Sequence, residues 1–304
     1  MLSGKLQHLI HLHILVFIAG FTAILGKLIS LESITLVWFR MLFALVLMYL
    51  YLKFRAIHLK VTLKSLIEFC FGGIIIALHW VTFFESINQS NVSIALAMFS
   101  SGAFFASIIE PLILKRQLIW YEIVFGIIVV IGVSLIFQSE YRFINGILLG
   151  ILSAFFSSLF AVFNGKLIKT HKASVISFYE FVFGVIFLSV LLFFNTNNSF
   201  SYAFFDLNNT DLFYLFILAS VCTAYAFIAA THVMKYVSPY TVVLTYNLEP
   251  IYGILMALYL FGDNEKMSIP FYVGALIIVA TVLANGFLKS YEAKKENIQL
   301  NKHD

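Results

Sequence analysis

The chain is 304 residues long, 62% hydrophobic and only 11% charged, with a mean hydropathy of +0.98. A water-soluble domain carries about a quarter charged residues, so a soluble enzyme or binding module is excluded and lipid must be the solvent for most of the apolar surface. The formal net charge of +4 does not point to nucleic acid, because the basic residues sit in short loops between apolar segments.

In chain order, polar punctuation cuts the sequence into ten segments. Each approaches the ~20 apolar residues that a helix needs to cross a bilayer core. The first covers 9–29; no small-residue cleavage site follows it, so a retained helix is expected and not a removed signal peptide. Next come 33–53, which holds Arg40, then 65–86 with His79 and Trp80, 91–113 with Ser100-Ser101-Gly102, and 119–137. The second run is 144–166, 173–194, 211–232 with Tyr225, 239–261 with Tyr246, Asn247, Glu249 and Pro250, and 269–288. Short joints such as Asn88-Gln89-Ser90-Asn91 and Ser238-Pro239 separate most of them, and Asn195 to Thr210 is the long polar one. Cys70 and Cys222 both fall inside apolar segments and give neither a disulfide framework nor a metal spacing. His8, His11 and His13 lie close together, but no carboxylate or cysteine accompanies them, so neither a metal site nor a cofactor is expected.

Lys and Arg concentrate in cytoplasmic loops of membrane proteins. With the N-terminus placed inside, all but four of the 19 Lys and Arg fall on the cytoplasmic side. The exceptions are Lys27, Arg142 and Lys266 outside and Arg40 within a span. An even number of spans then leaves both termini cytoplasmic.

The two runs of five segments also align with each other. Gly26-Lys27-Leu28-Ile29 recurs as Gly165-Lys166-Leu167-Ile168, and the same offset places Phe17 on Phe156, Phe21 on Phe160 and Phe39 on Phe178. Later in each run a second constant offset places Ser90 on Ser238, Ser93 on Thr241, Leu96 on Leu244 and Gly126 on Gly274. Five is odd, so the second run enters the membrane upside down, the arrangement that secondary transporters use to alternate access. The expectation is an all-α integral membrane protein of ten transmembrane helices in two inverted five-helix repeats. Residues 1–138 form the first repeat, 139–290 the second and 291–304 a cytoplasmic tail.

At these residues the chain resembles the EamA-like branch of the drug/metabolite transporter superfamily. The resemblance is carried by the two halves, by Trp38-Phe39-Arg40, by Ser90-Asn91-Val92-Ser93 leading to Gly126, and by Ser238-Pro239-Tyr240-Thr241 leading through Glu249-Pro250 to Gly274. Members usually carry a Gly-Glu pair after the ninth span; here the stretch reads Gly262-Asp263-Asn264-Glu265, and Gln117 takes the equivalent place in the first half. The resemblance implies a basket of ten helices in a multi-pass plasma or inner membrane protein. Its third, fourth, eighth and ninth spans would line a central cavity, and it would export amino acids or other metabolites.

An ionisable side chain deep in a span is costly and marks a functional site. Glu249 is the sharpest case, about 16 Å into its span at ~1.5 Å per residue, where a carboxyl is able to take and release a proton during a cycle. Pro250 beside it loosens the helix, and Tyr246 and Asn247 add polar groups on the same turn. The alternative role of Glu249 is structural, as a permanent partner of Arg40. His79 can shuttle a proton and Trp80 offers an apolar wall with one donor. Ser101 and Gly102, at the repeat position of Glu249 and Pro250, either meet a polar solute or let helices approach, and Tyr225 is a further candidate wall. Glu180 is a second candidate buried carboxyl.

No Walker loop, dinucleotide fingerprint or nucleophile elbow is present, which excludes ATP-driven transport by this chain alone. The expected function is a secondary carrier exporting a small polar metabolite such as an amino acid, with protons as the candidate coupling ion and the bilayer and the solute as partners. The alternatives are an importer or exchanger of another metabolite and, from another class, an integral-membrane enzyme acting on a lipid-linked substrate. The enzyme would need clustered polar groups at one face, and the longer outer loop offers Asp206 and Asp211 without a partner base.

Overall fold

The structure is a computed structural model that describes residues 4–115, 117, 119–195, 202–233, 245–246 and 248–300. The described residues are helical with short joints, and no strand occurs among them. The first half consists of α1 (Gly4–Leu28), α2 (Ser33–Phe54), α3 (Leu63–Gln89), α4 (Val92–Phe99), α5 (Gly102–Leu114) and α6 (Trp120–Ser139). The second comprises α7 (Ile144–Leu167), α8 (Ala173–Asn195), the single turn α9 (Tyr202–Phe205), α10 (Asn209–Ala219), a π-helical turn (Ser220–Tyr225), α11 (Ala226–Val233), α12 (Glu249–Phe261) and α13 (Ile269–Leu300).

Among the described residues, eight helical stretches are long and apolar enough to cross a membrane, and they coincide with eight of the ten expected segments. The other two differ in an instructive way. The eighth segment is interrupted by the π turn, and the ninth begins outside the described residues, so that α12 represents only its second part. The fourth segment also breaks, at Ser100-Ser101, into α4 and α5.

Local chemistry explains the joints. Asn91 opens α4 by accepting the amide of Ile94 at 2.9 Å, and Asn208 opens α10 by accepting that of Asp211 at 2.7 Å. Both are side chains that bond the first free amides of a helix. Glu265, 1% exposed, caps α4 a second time: its carboxylate accepts the amides of Val92 at 3.0 Å and Ser93 at 2.8 Å. The acid of the Gly262–Glu265 stretch therefore has a structural job, holding the helix end that follows Asn91. Asp211 is likewise spent on structure, accepting from Ser30 and Asn208.

Helix crossings use small residues, as membrane interfaces do in the absence of a hydrophobic drive. α1 meets α12 at Gly20 and Gly253, α3 meets α8 at Gly73 and Gly184, and α6 meets α13 at Gly132 and Gly274. Glu180 of α8 lies against Gly72 and accepts from Asn164 at 2.9 Å, so it is the buried carboxyl its position suggested. Outward faces stay apolar, with Leu50, Ile67, Ile127, Phe193 and Leu276 all more than half exposed.

Candidate functional site

A half-open cavity of about 370 Å³ lies between α1, α2, α3, the end of α4, α7, the π turn, α11 and the start of α12. Five of the expected site residues line it: Arg40, His79, Trp80, Tyr246 and Glu249. Aromatic side chains of Phe83, Phe99, Phe160 and Phe227 form most of the remaining wall.

Arg40 is 3% exposed, so its guanidinium depends on protein partners. Nε donates to Thr223 Oγ1 at 2.9 Å, and the guanidinium carbon stands 4.0 Å from the centroid of the Trp80 ring. Nη1 has no hydrogen-bond partner. Thr223 reaches Arg40 because it sits in the π turn, where its hydroxyl also donates to the carbonyl of Leu218 at 2.8 Å. Insertions of this kind recur at functional sites. Here the widened turn turns Thr223 toward Arg40 while Cys222 and Ala226 face the cavity.

His79 is held by α7. Its Nδ1 donates to the carbonyl of Ser153 at 3.1 Å, and Ser153 Oγ donates back to the carbonyl of His79 at 3.2 Å. This pairing leaves Nε2 as the acceptor of the ring. The imidazole stacks on Phe99 with centroids 5.4 Å apart.

Glu249 starts α12, with Pro250 in the first turn, a place where proline's missing amide costs the helix nothing. Pro250 therefore stands in the first turn of α12, directly after a turn at Leu248 that follows helical Thr245 and Tyr246. The backbone of Glu249 and Gly253 rests on Gly20 of α1, which fixes the carboxyl at the cavity wall. Glu249 and Arg40 share the cavity, yet no ion pair joins them. Tyr246 packs among Leu12, Leu15, Ala229 and Val233 and borders the cavity beside Glu249.

Other expected site residues fall elsewhere. Tyr225 is 44% exposed, borders a second cavity of about 660 Å³ and is bonded to His11 Nε2 at 2.8 Å; the π turn directs it away from Glu249. Ser101 spends its hydroxyl on the carbonyl of Met98 at 2.6 Å, and Gly102 lies under Ser158, which donates to its carbonyl at 2.7 Å. Both serve the α4–α5 break and its packing on α7. Asn247 lies outside the described residues. Sequence reasoning missed Thr223, Cys222, Phe160 and Phe227. The repeat could have supplied two of them, since the offset that takes Ser93 to Thr241 takes His79 to Phe227, and Phe160 already stood opposite Phe21.

A family model for EamA-like transporters matches residues 9–138 and 144–287. The chain belongs to the EamA-like transporter family. It is thus a member of the drug/metabolite transporter superfamily, a multi-pass membrane protein of a family of transporters and not of enzymes. The two matched stretches part where α6 gives way to α7. A solved crystal structure sharing 10% identity is similar over 92% of this chain and 98% of its own, with a TM-score of 0.62, a likeness of fold. No curated protein matches the sequence.

Proposed function

We propose that this EamA-like protein is a secondary carrier that exports a small polar metabolite bearing both an amine and a carboxylate, such as an amino acid, across the plasma or inner membrane. The observation that carries the reading is that Arg40 and Glu249 line one cavity without pairing, with Arg40 Nη1 unbonded. A buried cation and a half-buried carboxylate that line one cavity without an ion pair form a complementary host for a zwitterion. The amine would meet Glu249 and the carboxylate would meet Arg40. Trp80, Phe99 and Phe160 supply the apolar wall that takes the side chain of the solute.

The proton is the proposed coupling ion. Glu249 and His79 are the titratable groups facing the cavity beside Arg40, Cys222 and Tyr246. A carboxyl that binds the amine of the solute in one state and a proton in another would couple the two movements. The proposed architecture is ten helices in two inverted repeats with both termini in the cytoplasm. Its support lies in contacts that occur in pairs: α3 packs on α7 as α1 packs on α11, and α3 on α8 as α2 on α10.

The test compares metabolites in the medium of cells expressing wild type and Glu249→Gln. A compound that accumulates only with wild type supports export and the role of Glu249. Equal accumulation with both makes Glu249 structural, and depletion of a compound from the medium by wild type alone reverses the direction to import.

A further inference from the structure

The second cavity carries features that the transport reading does not use. Its wall includes Arg55, His171 and Lys172, together with Ala173, Ser174 and Ser177 at the start of α8. Among the described residues no Asp or Glu lines it. α8 is 23 residues long and has no acidic residue in its first turn, although a helix N-terminus favours negative charge. Instead Lys172 stands directly before it. The amides of Val175 and Ile176 both reach the carbonyl of Lys172, at 2.9 and 3.1 Å, while those of Ala173 and Ser174 have no earlier helical carbonyl to bond. This helix end and the two exposed cations beside it, Arg55 and Lys172, present positive charge from three sides.

Ser177 supplies an independent observation. It is 7% exposed, borders the same cavity and has no side-chain hydrogen bond. Its oxygen opens onto the cavity, so an unbonded hydroxyl faces the site one turn inside the helix mouth. His171 is fixed nearby, with Nε2 3.0 Å from Ser65 Oγ and Nδ1 2.8 Å from Thr170 Oγ1.

We propose that this cavity binds a phosphate group at the N-terminus of α8. The amides of Ala173 and Ser174 and the hydroxyl of Ser177 would donate to its oxygens, and Arg55 and Lys172 would balance its charge. The group belongs either to an anionic lipid headgroup at the membrane edge or to a free solute. The site is separate from Glu249 and does not depend on what the central cavity carries; Phe227 borders both.

The test is the thermal unfolding midpoint of the full chain in a neutral detergent, titrated separately with inorganic phosphate and with a short-chain phosphatidylglycerol. Wild type should be stabilised by at least one of them. Ser177→Ala should need about tenfold more ligand, the factor that one hydrogen bond to a charged group carries, and Arg55→Gln with Lys172→Gln should lose the response. Unliganded midpoints show that the variants fold, and Glu249→Gln should respond like wild type. A response to phosphate identifies a free solute, and a response to the lipid alone identifies a headgroup. No shift in wild type with either probe, or equal shifts in the double variant, overturns the proposal.

Discussion

A guanidinium lifted out of water into an apolar bundle must be met by acceptors or by π faces, and Arg40 has Thr223 and Trp80. Removing the acceptor should therefore be felt. Thr223→Val is expected to lower stability by about 1–3 kcal/mol, the cost of leaving a buried donor unmet. Its unfolding midpoint in detergent would read the loss, and an unchanged midpoint would mean that Trp80 alone suffices. Arg40→Lys keeps the charge but lacks the planar fork that bonds Thr223 while stacking on Trp80. It should cut transport at least about tenfold, the factor for some 1.4 kcal/mol of lost binding, with the protein still in the membrane. Surface charge behaves differently. Lys266 bonds Asp263 at 2.6 Å in a fully exposed pair and holds that carboxyl below its usual range. A depressed carboxyl stabilises above its unfolded pKa and loses that contribution as pH falls through the folded one, but solvent screens this pair. Lys266→Gln should leave the midpoint at neutral pH unchanged. At this scale much of the central site was legible, because Arg40, His79 and Glu249 are polar residues in apolar runs. Thr223 and Cys222 were not, since threonine and cysteine are ordinary in membrane helices and a π turn leaves no mark in hydropathy.

Between helices, the decisive contacts are a cap and a crossing. Glu265 binds two amides at the start of α4, the helix that packs against both α7 and α12. Glu265→Ala should cost about 1–2 kcal/mol, combining a lost cap with a lost charge at the positive helix end. Glu265→Gln, which retains one acceptor, should cost less, and the order of the two midpoints is the check. At the α1–α12 crossing, a Cβ on Gly20 would come within 3.0 Å of the Gly253 amide and 3.1 Å of the Glu249 carbonyl. Gly20→Val must therefore push α12 away, at about 1–3 kcal/mol, and should lower transport by displacing Glu249 even where the protein still reaches the membrane. Element identity followed from hydropathy, which counts apolar residues and so matched eight of the ten expected spans. It could not see where a span breaks. Ser100-Ser101 and the Ser220–Tyr225 turn interrupt apolar runs without lowering their hydrophobicity, and those interruptions decide that Ser101 bonds its own helix and that Tyr225 faces the second cavity.

For the whole molecule, the proposed topology rests on two segments that differ from the rest: α10 with its π turn and α11, and the ninth, of which α12 is the second part. If one of them failed to cross, every later loop would change sides. The basic residues make this testable, because Lys266 is expected outside and Lys289 inside. Cys70 and Cys222 are both free, so replacing them by alanine gives a background without thiols. Single cysteines at Lys60, Arg142, Lys169, Lys266 and Lys289 can then be labelled on intact cells with a membrane-impermeant maleimide. Arg142 and Lys266 are suitable sites, with side chains 69% and 71% exposed. Ten crossings require labelling at Arg142 and Lys266 and none at Lys60, Lys169 or Lys289 until the cells are opened. Labelling at Lys289 with Lys266 protected would mean an odd number of crossings after Lys169. The second half would then lack the five spans that an inverted copy of the first requires, and the two unlike segments would have to be reread as a pair in which only one crosses.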